Sequence, residues 1–198
     1  TMLAERFAIH QSKLTLVLNA CAANLPPPVV NASKQTGKLV LGYVGTIGHW
    51  FDWPLVFALA EENPSMAVRL IGPAYVLPSE TMPSNIELLP ACNHVKALQS
   101  MQEFSVGLIP FKKTELTASV DPIKYYEYRA LGLPIISSCF GEMVLRDNIE
   151  GVFLIDKHSD LINATKKALS YEYQKTEIQK FRTNNSWEAR FDEIRILP

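Results

Sequence analysis

The sequence predicts an α/β domain built on a doubly wound parallel sheet of the Rossmann-like type, followed by a helical C-terminus. Six short apolar runs alternate with segments of helical periodicity, which is the pattern of successive βαβ units. The runs are mostly apolar and do not alternate regularly with polar residues, as expected for strands covered on both faces. The composition agrees, since the 198 residues are 47% hydrophobic and 20% charged, which is ordinary for a globular domain.

The first 25 residues are expected to belong to a different unit from the rest of the chain. They predict a short helix, an apolar strand at residues 14–18 and an irregular tail. The prolines at 26–28 remove three backbone donors and favour an extended chain, so residues 26–37 are interpreted as a linker. Residues 38–198 then form the main domain.

The elements of the main domain follow one another in a regular order. The predicted strands are 39–44, 67–71, 86–89, 106–109, 134–138 and 152–155. The predicted helices are one after Asp52, then 95–104, 121–132, 159–170, 172–182 and 187–197. Asp52 and Ser186 stand where side-chain N-caps are expected, and Pro54 falls in a first turn, where its missing N–H is harmless. Asp121 and Pro122 predict a capped start for the helix that ends at Gly132.

Charge and cysteine content exclude several classes of protein. Nineteen basic residues stand against 20 acidic ones, so the chain has no basic stripe of the kind that general nucleic-acid binding requires. The three cysteines, Cys21, Cys92 and Cys139, are scattered and form no CxxC pair, which argues against a disulfide framework or a zinc site. No signal peptide is visible, and no apolar run reaches the roughly 18 residues that span a bilayer. These features fit a reducing cytoplasm.

Ligands of open α/β sheets bind at the carboxyl ends of the strands, where the strand order reverses. The loops to inspect are therefore 45–51, 72–85, 90–94 and 110–122. Gly45 and Gly48 are weak evidence for a phosphate cradle, because a tight turn between strand and helix explains them equally well.

Lys124 and Glu127 carry the strongest local indication of a site. Lys124 falls in the first turn of the helix 121–132, where the positive end of the helix dipole disfavours a cation. An anion docked at that helix end would explain the lysine, although the Asp121 carboxylate would compete for the same amides. Glu127 lies three residues further along the same helix face, where an ionised carboxylate needs donors that a ribose diol can supply. A plain surface ion pair between Lys124 and Glu127 is the alternative interpretation.

These segments resemble the C-terminal domain of GT-B-fold glycosyltransferases, of the retaining group-1 type that builds bacterial cell-surface polysaccharides. The resemblance is carried by Val106-Gly-Leu-Ile-Pro-Phe111 and by Asp121-Pro-Ile-Lys-Tyr-Tyr-Glu-Tyr-Arg-Ala-Leu-Gly-Leu-Pro-Ile-Ile-Ser137. Gly42-Tyr-Val-Gly-Thr-Ile-Gly48 is similar to the family's first strand and glycine loop, and Ser186-Trp-Glu-Ala-Arg190 to its closing helix. Leu14-Thr-Leu-Val-Leu-Asn-Ala-Cys-Ala-Ala23 is similar to the last strand of the N-terminal domain.

The resemblance implies a role for individual residues. Glu127 matches the second glutamate of the family's E-x7-E signature and would hold the nucleotide ribose, while Lys124 would lie beside the diphosphate. The further diphosphate contacts that it implies are Val120, Asp121, Ile123, Gly45, Thr46 and Gly48. The loop that would line the nucleobase contains Ala91, Cys92 and Asn93. One position departs from the signature, because Ser119 stands eight residues before Glu127 in place of the first glutamate.

The function implied is transfer of a sugar from a nucleoside diphosphate sugar to an acceptor, without a bound metal or other cofactor. Residues 1–25 would be a remnant of the N-terminal acceptor-binding domain, so the chain is expected to be an incomplete enzyme that is inactive alone. The implied location is the cytoplasm, with peripheral association at the inner face of the membrane left open for the intact enzyme. Two alternatives remain: a nucleotide-sugar epimerase of the same architecture, and a non-catalytic α/β interaction module.

Overall fold

A six-stranded parallel sheet forms the centre of the computed structural model, which describes residues 5–29, 37–157 and 160–194. The strands are β1 (Val40–Val44), β2 (Ala67–Ile71), β3 (Ile86–Leu89), β4 (Val106–Ile109), β5 (Ile135–Ser138) and β6 (Val152–Ile155). They pair in the order β3-β2-β1-β4-β5-β6, and every pair is parallel. The central strand β1 has neighbours on both sides, with Leu41 opposite Val68 and Val106. The predicted parallel sheet is confirmed.

Helices cover both faces of this sheet. They are α1 (Trp53–Glu62), α2 (His94–Met101), α3 (Ile123–Leu131), α4 (Leu161–Ser170), α5 (Lys175–Asn184) and α6 (Trp187–Ile194). One apolar cluster joins α1 and α4 to sheet residues such as Leu41 and Leu108. A second cluster joins α2 and α3 to residues such as Val40 and Ile109, which point to the other face. The domain is therefore doubly wound, as predicted.

Most of the predicted helix boundaries have the expected local cause. Asp52 caps α1, because its Oδ1 accepts the N–H of Leu55 at 3.1 Å. Ser186 Oγ accepts the N–H of Ala189 at 3.1 Å at the start of α6. Gly132 ends α3 in the left-handed region at φ 76°, a conformation that costs a glycine nothing. The predicted helix residues 159 and 195–197 lie outside the described part of the chain.

The N-terminal segment differs from its prediction. Residues 8–13 form a 3-10 helix, and residues 14–18 form no strand, so the predicted strand is wrong. The nearest approach to pairing is a single bridge between Cys21 and Ser186. An apolar run becomes a strand only beside a neighbour, and none of the described residues provides one for 14–18.

The start of the predicted linker packs on the main domain. The Val29 N–H donates to the Leu131 carbonyl at the end of α3, at 2.7 Å. Arg182 of α5 donates to the Pro26 carbonyl, also at 2.7 Å. Residues 30–36 of the linker lie outside the described residues, and the division at 26–37 stays a prediction.

None of the helices within 5–29, 37–157 or 160–194 has the length and apolar character that crossing a bilayer requires.

Candidate functional site

The strand order reverses between β1 and β4, and a ligand crevice is expected at such a switch point. The chain leaves β1 towards α1 on one face of the sheet and leaves β4 towards α3 on the other. The two loops are joined by backbone hydrogen bonds. Asp52 N–H donates to the Pro110 carbonyl at 2.8 Å, and Lys112 N–H donates to the Trp50 carbonyl at 2.7 Å. These bonds hold the loops together at the base of the expected crevice.

The position of α3 beside this crevice is fixed by Tyr128, whose side chain is fully buried. Its hydroxyl accepts the N–H of Val44 at 3.3 Å and donates to the carbonyl of Gly42 at 3.4 Å, both on β1. The ring lies against Gly107 of β4, where a Cβ would come within 2.5 Å of it. Burial raises the pKa of this phenol well above its usual range, so it remains a donor at any ordinary pH.

Glu127 is the buried carboxylate of the site, with 4% of the residue exposed. Its Oε2 accepts a hydrogen bond from Lys124 Nζ at 2.6 Å, and its Oε1 lies 3.1 Å from His94 Nε2. The ion pair of the alternative interpretation therefore exists, but it is not a surface pair. An ionised carboxylate withdrawn from water requires such partners.

Asp121 does not have its predicted role as the cap of α3, and that prediction is wrong. The helix begins after Pro122 without a side-chain cap. The Asp121 carboxylate instead accepts hydrogen bonds from Arg146 at 2.5 Å, from the Tyr126 hydroxyl at 2.9 Å and from the Asn19 N–H at 2.9 Å. Leaving a buried guanidinium without an opposite charge costs more free energy than leaving a helix end without a cap. Asp121 therefore pairs with Arg146.

The competition between Asp121 and an anion for the first turn of α3 is thus removed. Arg146 lies over the Tyr125 ring at 4.1 Å and keeps the carboxylate turned towards itself. Burial, with the Asp121 charge as a further cause, raises the pKa of Tyr126 to about 12, so the hydroxyl keeps the proton that it donates. The amides at the start of α3 are left without a side-chain acceptor from Asp121.

The other predicted diphosphate residues differ in what they can offer. Ile123 is exposed at the start of α3, beside Lys124. The Val120 N–H already donates to the Thr117 carbonyl at 3.1 Å, so binding an anion through it would require that bond to break.

The glycine loop is shaped by aromatic side chains. A Cβ at Gly45 would lie 2.6 Å from the Tyr43 hydroxyl, and one at Gly48 would lie 2.7 Å from the Trp50 ring. The Tyr43 hydroxyl donates to the Thr46 carbonyl at 2.9 Å. Tight packing within the protein therefore accounts for both glycines, and their contact with a ligand stays a prediction.

The predicted base-lining loop is exposed and leads directly to an unpredicted site residue. Ala91 and Cys92 are exposed, while Asn93 caps α2 by accepting the Lys96 N–H at 2.9 Å. His94 follows as the first residue of α2, and it reaches across to Glu127. Recognising Asn93 as a helix cap would have placed His94 in the first turn of α2, but its contact with α3 depends on the tertiary fold.

The class defined by this geometry is a doubly wound α/β domain with a candidate site at its switch point. The helix α3, which follows β4, carries a buried carboxylate, a lysine and an N-terminus without a side-chain cap. Such a set can accept hydrogen bonds from hydroxyl groups and attract an anion.

No family model matches the chain, but a curated protein and several solved structures are similar to it. TuaH of Bacillus subtilis, a protein named for a glycosyltransferase role in teichuronic acid biosynthesis, is 22% identical over 207 residues, covering 96% of this chain and 51% of the relative. The sucrose-phosphate synthase of Thermosynechococcus elongatus superposes with a TM-score of 0.65 at 16% identity, covering 91% of this chain and 51% of that one. AviGT4, a glycosyltransferase involved in avilamycin A biosynthesis, gives a TM-score of 0.59 at 15% identity over 87% of this chain and 55% of its own.

These similarities confirm the predicted fold, which is the Rossmann-like α/β fold found in GT-B glycosyltransferases. The chain spans about half the length of the curated relative and of these solved structures.

Proposed function

We propose that this chain is the donor-binding half of a glycosyltransferase. In the whole enzyme, a sugar would pass from a nucleoside diphosphate to an acceptor in cell-surface polysaccharide synthesis. The observation that carries the proposal is the buried carboxylate of Glu127, held by Lys124 in the first turn of α3 at the switch point. The likeness to TuaH and to two sugar-transferring enzymes supports the class of reaction.

The nucleotide ribose is the proposed partner of Glu127. The two adjacent hydroxyls of a ribose are both donors, and an ionised carboxylate is an acceptor only. Hydrogen bonds to a charged acceptor contribute about 1.5–3 kcal/mol, so this contact would supply a large share of the affinity for the nucleoside.

The diphosphate is the proposed partner of Lys124 and of the α3 N-terminus. The helix end presents its first-turn amides and the positive end of the helix dipole, and Asp121 is drawn away from them by Arg146. The diphosphate acquires negative charge as the sugar departs, and preorganised donors at this place stabilise that charge. The reaction then needs no nucleophile from this half of the enzyme.

The other half would hold the acceptor. Transfer requires donor and acceptor to be aligned, which one wall of a crevice cannot achieve. The partners in this proposal are therefore the nucleotide sugar and an acceptor-binding domain, and the site of action is the cytoplasm or the inner face of the membrane.

Calorimetric titration with UDP, GDP and ADP tests the proposal, using the wild type, Glu127→Gln and Lys124→Ala. Loss of the charged acceptor in Glu127→Gln should weaken binding by about ten-fold or more. Lys124→Ala should weaken binding of the diphosphates more than binding of the parent nucleosides, which carry no charge for Lys124 to meet. Raising the salt concentration should reduce that difference, because screening weakens a partly exposed charge interaction.

Matched controls are available away from the crevice. Glu103→Gln and Lys38→Ala remove one charge each from exposed ion pairs with Arg69 and Glu87, and they should leave the affinities unchanged. Circular dichroism of every variant establishes that it is folded. If a diphosphate binds equally to wild type and to both site variants, the pair of Lys124 and Glu127 is structural and the proposal fails.

A further inference from the structure

The contact between His94 and Glu127 has no part in the function proposed above. His94 Nε2 lies 3.1 Å from Glu127 Oε1, and a carboxylate only accepts, so this ring nitrogen must carry the proton of the hydrogen bond. His94 follows directly on the exposed loop 90–93. Its imidazole therefore stands between the loop predicted to line the base and the carboxylate proposed to bind the ribose.

The two partners of Glu127 hold it unequally. Lys124 bonds Oε2 at 2.6 Å, and its side chain is only 17% exposed, whereas His94 bonds Oε1 at the longer distance with 58% of its side chain exposed. Water can replace the second contact much more easily than the first. Oε1 is therefore the oxygen whose present hydrogen bond a ligand would displace.

We propose that His94 competes with the ribose for Glu127, holding Oε1 in the empty site and leaving it when a nucleotide binds. The proposal rests on the function proposed above and assigns a regulatory role within that same site. Because the ribose must displace the imidazole from Oε1, the affinity for the nucleoside diphosphate is lower than it would be without His94. Return of the imidazole to Oε1 favours release of that product, a step that limits turnover in many enzymes.

The charge of Glu127 strengthens its contact with His94. A hydrogen bond that the imidazole donates to an ionised carboxylate is roughly twice as strong as one between neutral groups. A ribose hydroxyl that donates to the same carboxylate gains the same advantage, so the two donors compete for Oε1 on similar terms.

The test measures binding of UDP, GDP and ADP to the wild type and to His94→Ala, with inorganic pyrophosphate as a ribose-free reference. His94→Ala should tighten nucleotide binding by about two- to ten-fold. Pyrophosphate binding should not change, because pyrophosphate has no ribose that competes for Oε1. His94→Gln keeps a hydrogen-bond donor at this position, so its affinity should lie closer to that of the wild type than the affinity of His94→Ala does. His10→Ala, which removes an exposed histidine far along the chain, should behave like the wild type.

Each outcome decides between the two proposals. If the wild type binds none of the three nucleotides, both proposals fail. If the wild type binds and Glu127→Gln weakens binding, but His94→Ala leaves it unchanged or weaker, only the competition is overturned.

Proton NMR gives a second reading on the imidazole itself. A saturating nucleotide should move the ring-proton resonances of His94 in the same direction as Glu127→Gln does, because both remove the free carboxylate oxygen from the ring. Resonances unaffected by nucleotide would overturn the competition even if the affinities agreed.

Discussion

Replacing Asp121 by Ala is expected to lower the free energy of unfolding by about 3–4 kcal/mol. The Arg146 and Asp121 side chains are 9% and 12% exposed, and the ion pair between them measures 2.5 Å. Removal of the carboxylate leaves a guanidinium buried without a counter-charge, which typically costs about 3–5 kcal/mol. The lower part of that range applies because Arg146 keeps its contacts with the Tyr125 ring and with the Tyr126 hydroxyl.

The double variant Asp121→Ala/Arg146→Met isolates the charge. Methionine is of similar length and carries no charge, so the double variant should lose only about 1–2 kcal/mol, less than Asp121→Ala alone. Glu103→Ala is the matched control, because it breaks an arginine–carboxylate pair of 2.6 Å whose carboxylate is 62% exposed. Exposed pairs contribute little, and this control should cost less than about 1 kcal/mol.

Urea unfolding at pH 7 and 25 °C, followed by circular dichroism and by tryptophan fluorescence, measures the four proteins. Coincidence of the two probes establishes that a single free energy is meaningful. The reasoning is refuted if Asp121→Ala costs no more than Glu103→Ala. It is also refuted if the double variant is less stable than Asp121→Ala, since an uncompensated charge could not then be the cause.

Two further perturbations test the sheet. Gly42→Ala should lower the free energy of unfolding by about 1–3 kcal/mol in the same urea assay, because its Cβ would lie 2.2 Å from the fully buried Phe104 ring; an unchanged midpoint would contradict this packing. Hydrogen bonds from Lys38 and then from Arg69 lower the pKa of Glu87. The Glu87 carboxylate therefore adds to the free energy of unfolding above its unfolded pKa of about 4.3, and this contribution is lost as the pH falls through the folded value. The wild type should therefore exceed Glu87→Gln in stability at pH 6, by less than about 1 kcal/mol, and this difference should shrink as the pH falls below the unfolded pKa; a difference that grew on acidification would have the wrong sign.

The sheet could be predicted because β1, β4 and β5 are buried throughout and the other strands are mostly apolar, so that each strand appears in the sequence as a short, mainly apolar run. The runs at 67–71, 86–89, 106–109 and 152–155 match the observed strands residue for residue. The run at 14–18 has the same local character and is not a strand, because pairing depends on a neighbour that the local sequence does not specify. An apolar run alone does not show which part of the protein its residues will contact.

The site was predictable only where one helix turn determined it. Lys124 and Glu127 are three positions apart on α3, and helix geometry alone brings them together. Asp121 was assigned to the helix start on equally local grounds, but its partner Arg146 stands 25 residues further along the chain. His94 and Glu127 are separated by 33 residues, and only the packing of α2 beside α3 makes them neighbours.

For a protein engineer, successive positions on α3 offer opposite opportunities. Glu127 pairs with Lys124 and His94, while the next residue, Tyr128, is hydrogen-bonded to the central strand and rests on Gly107. A library that varies positions 124 and 127 together could change ligand preference on an unaltered scaffold. Varying Tyr128 or Gly107 would instead disturb the packing of α3 on the sheet, on which every member of the library depends.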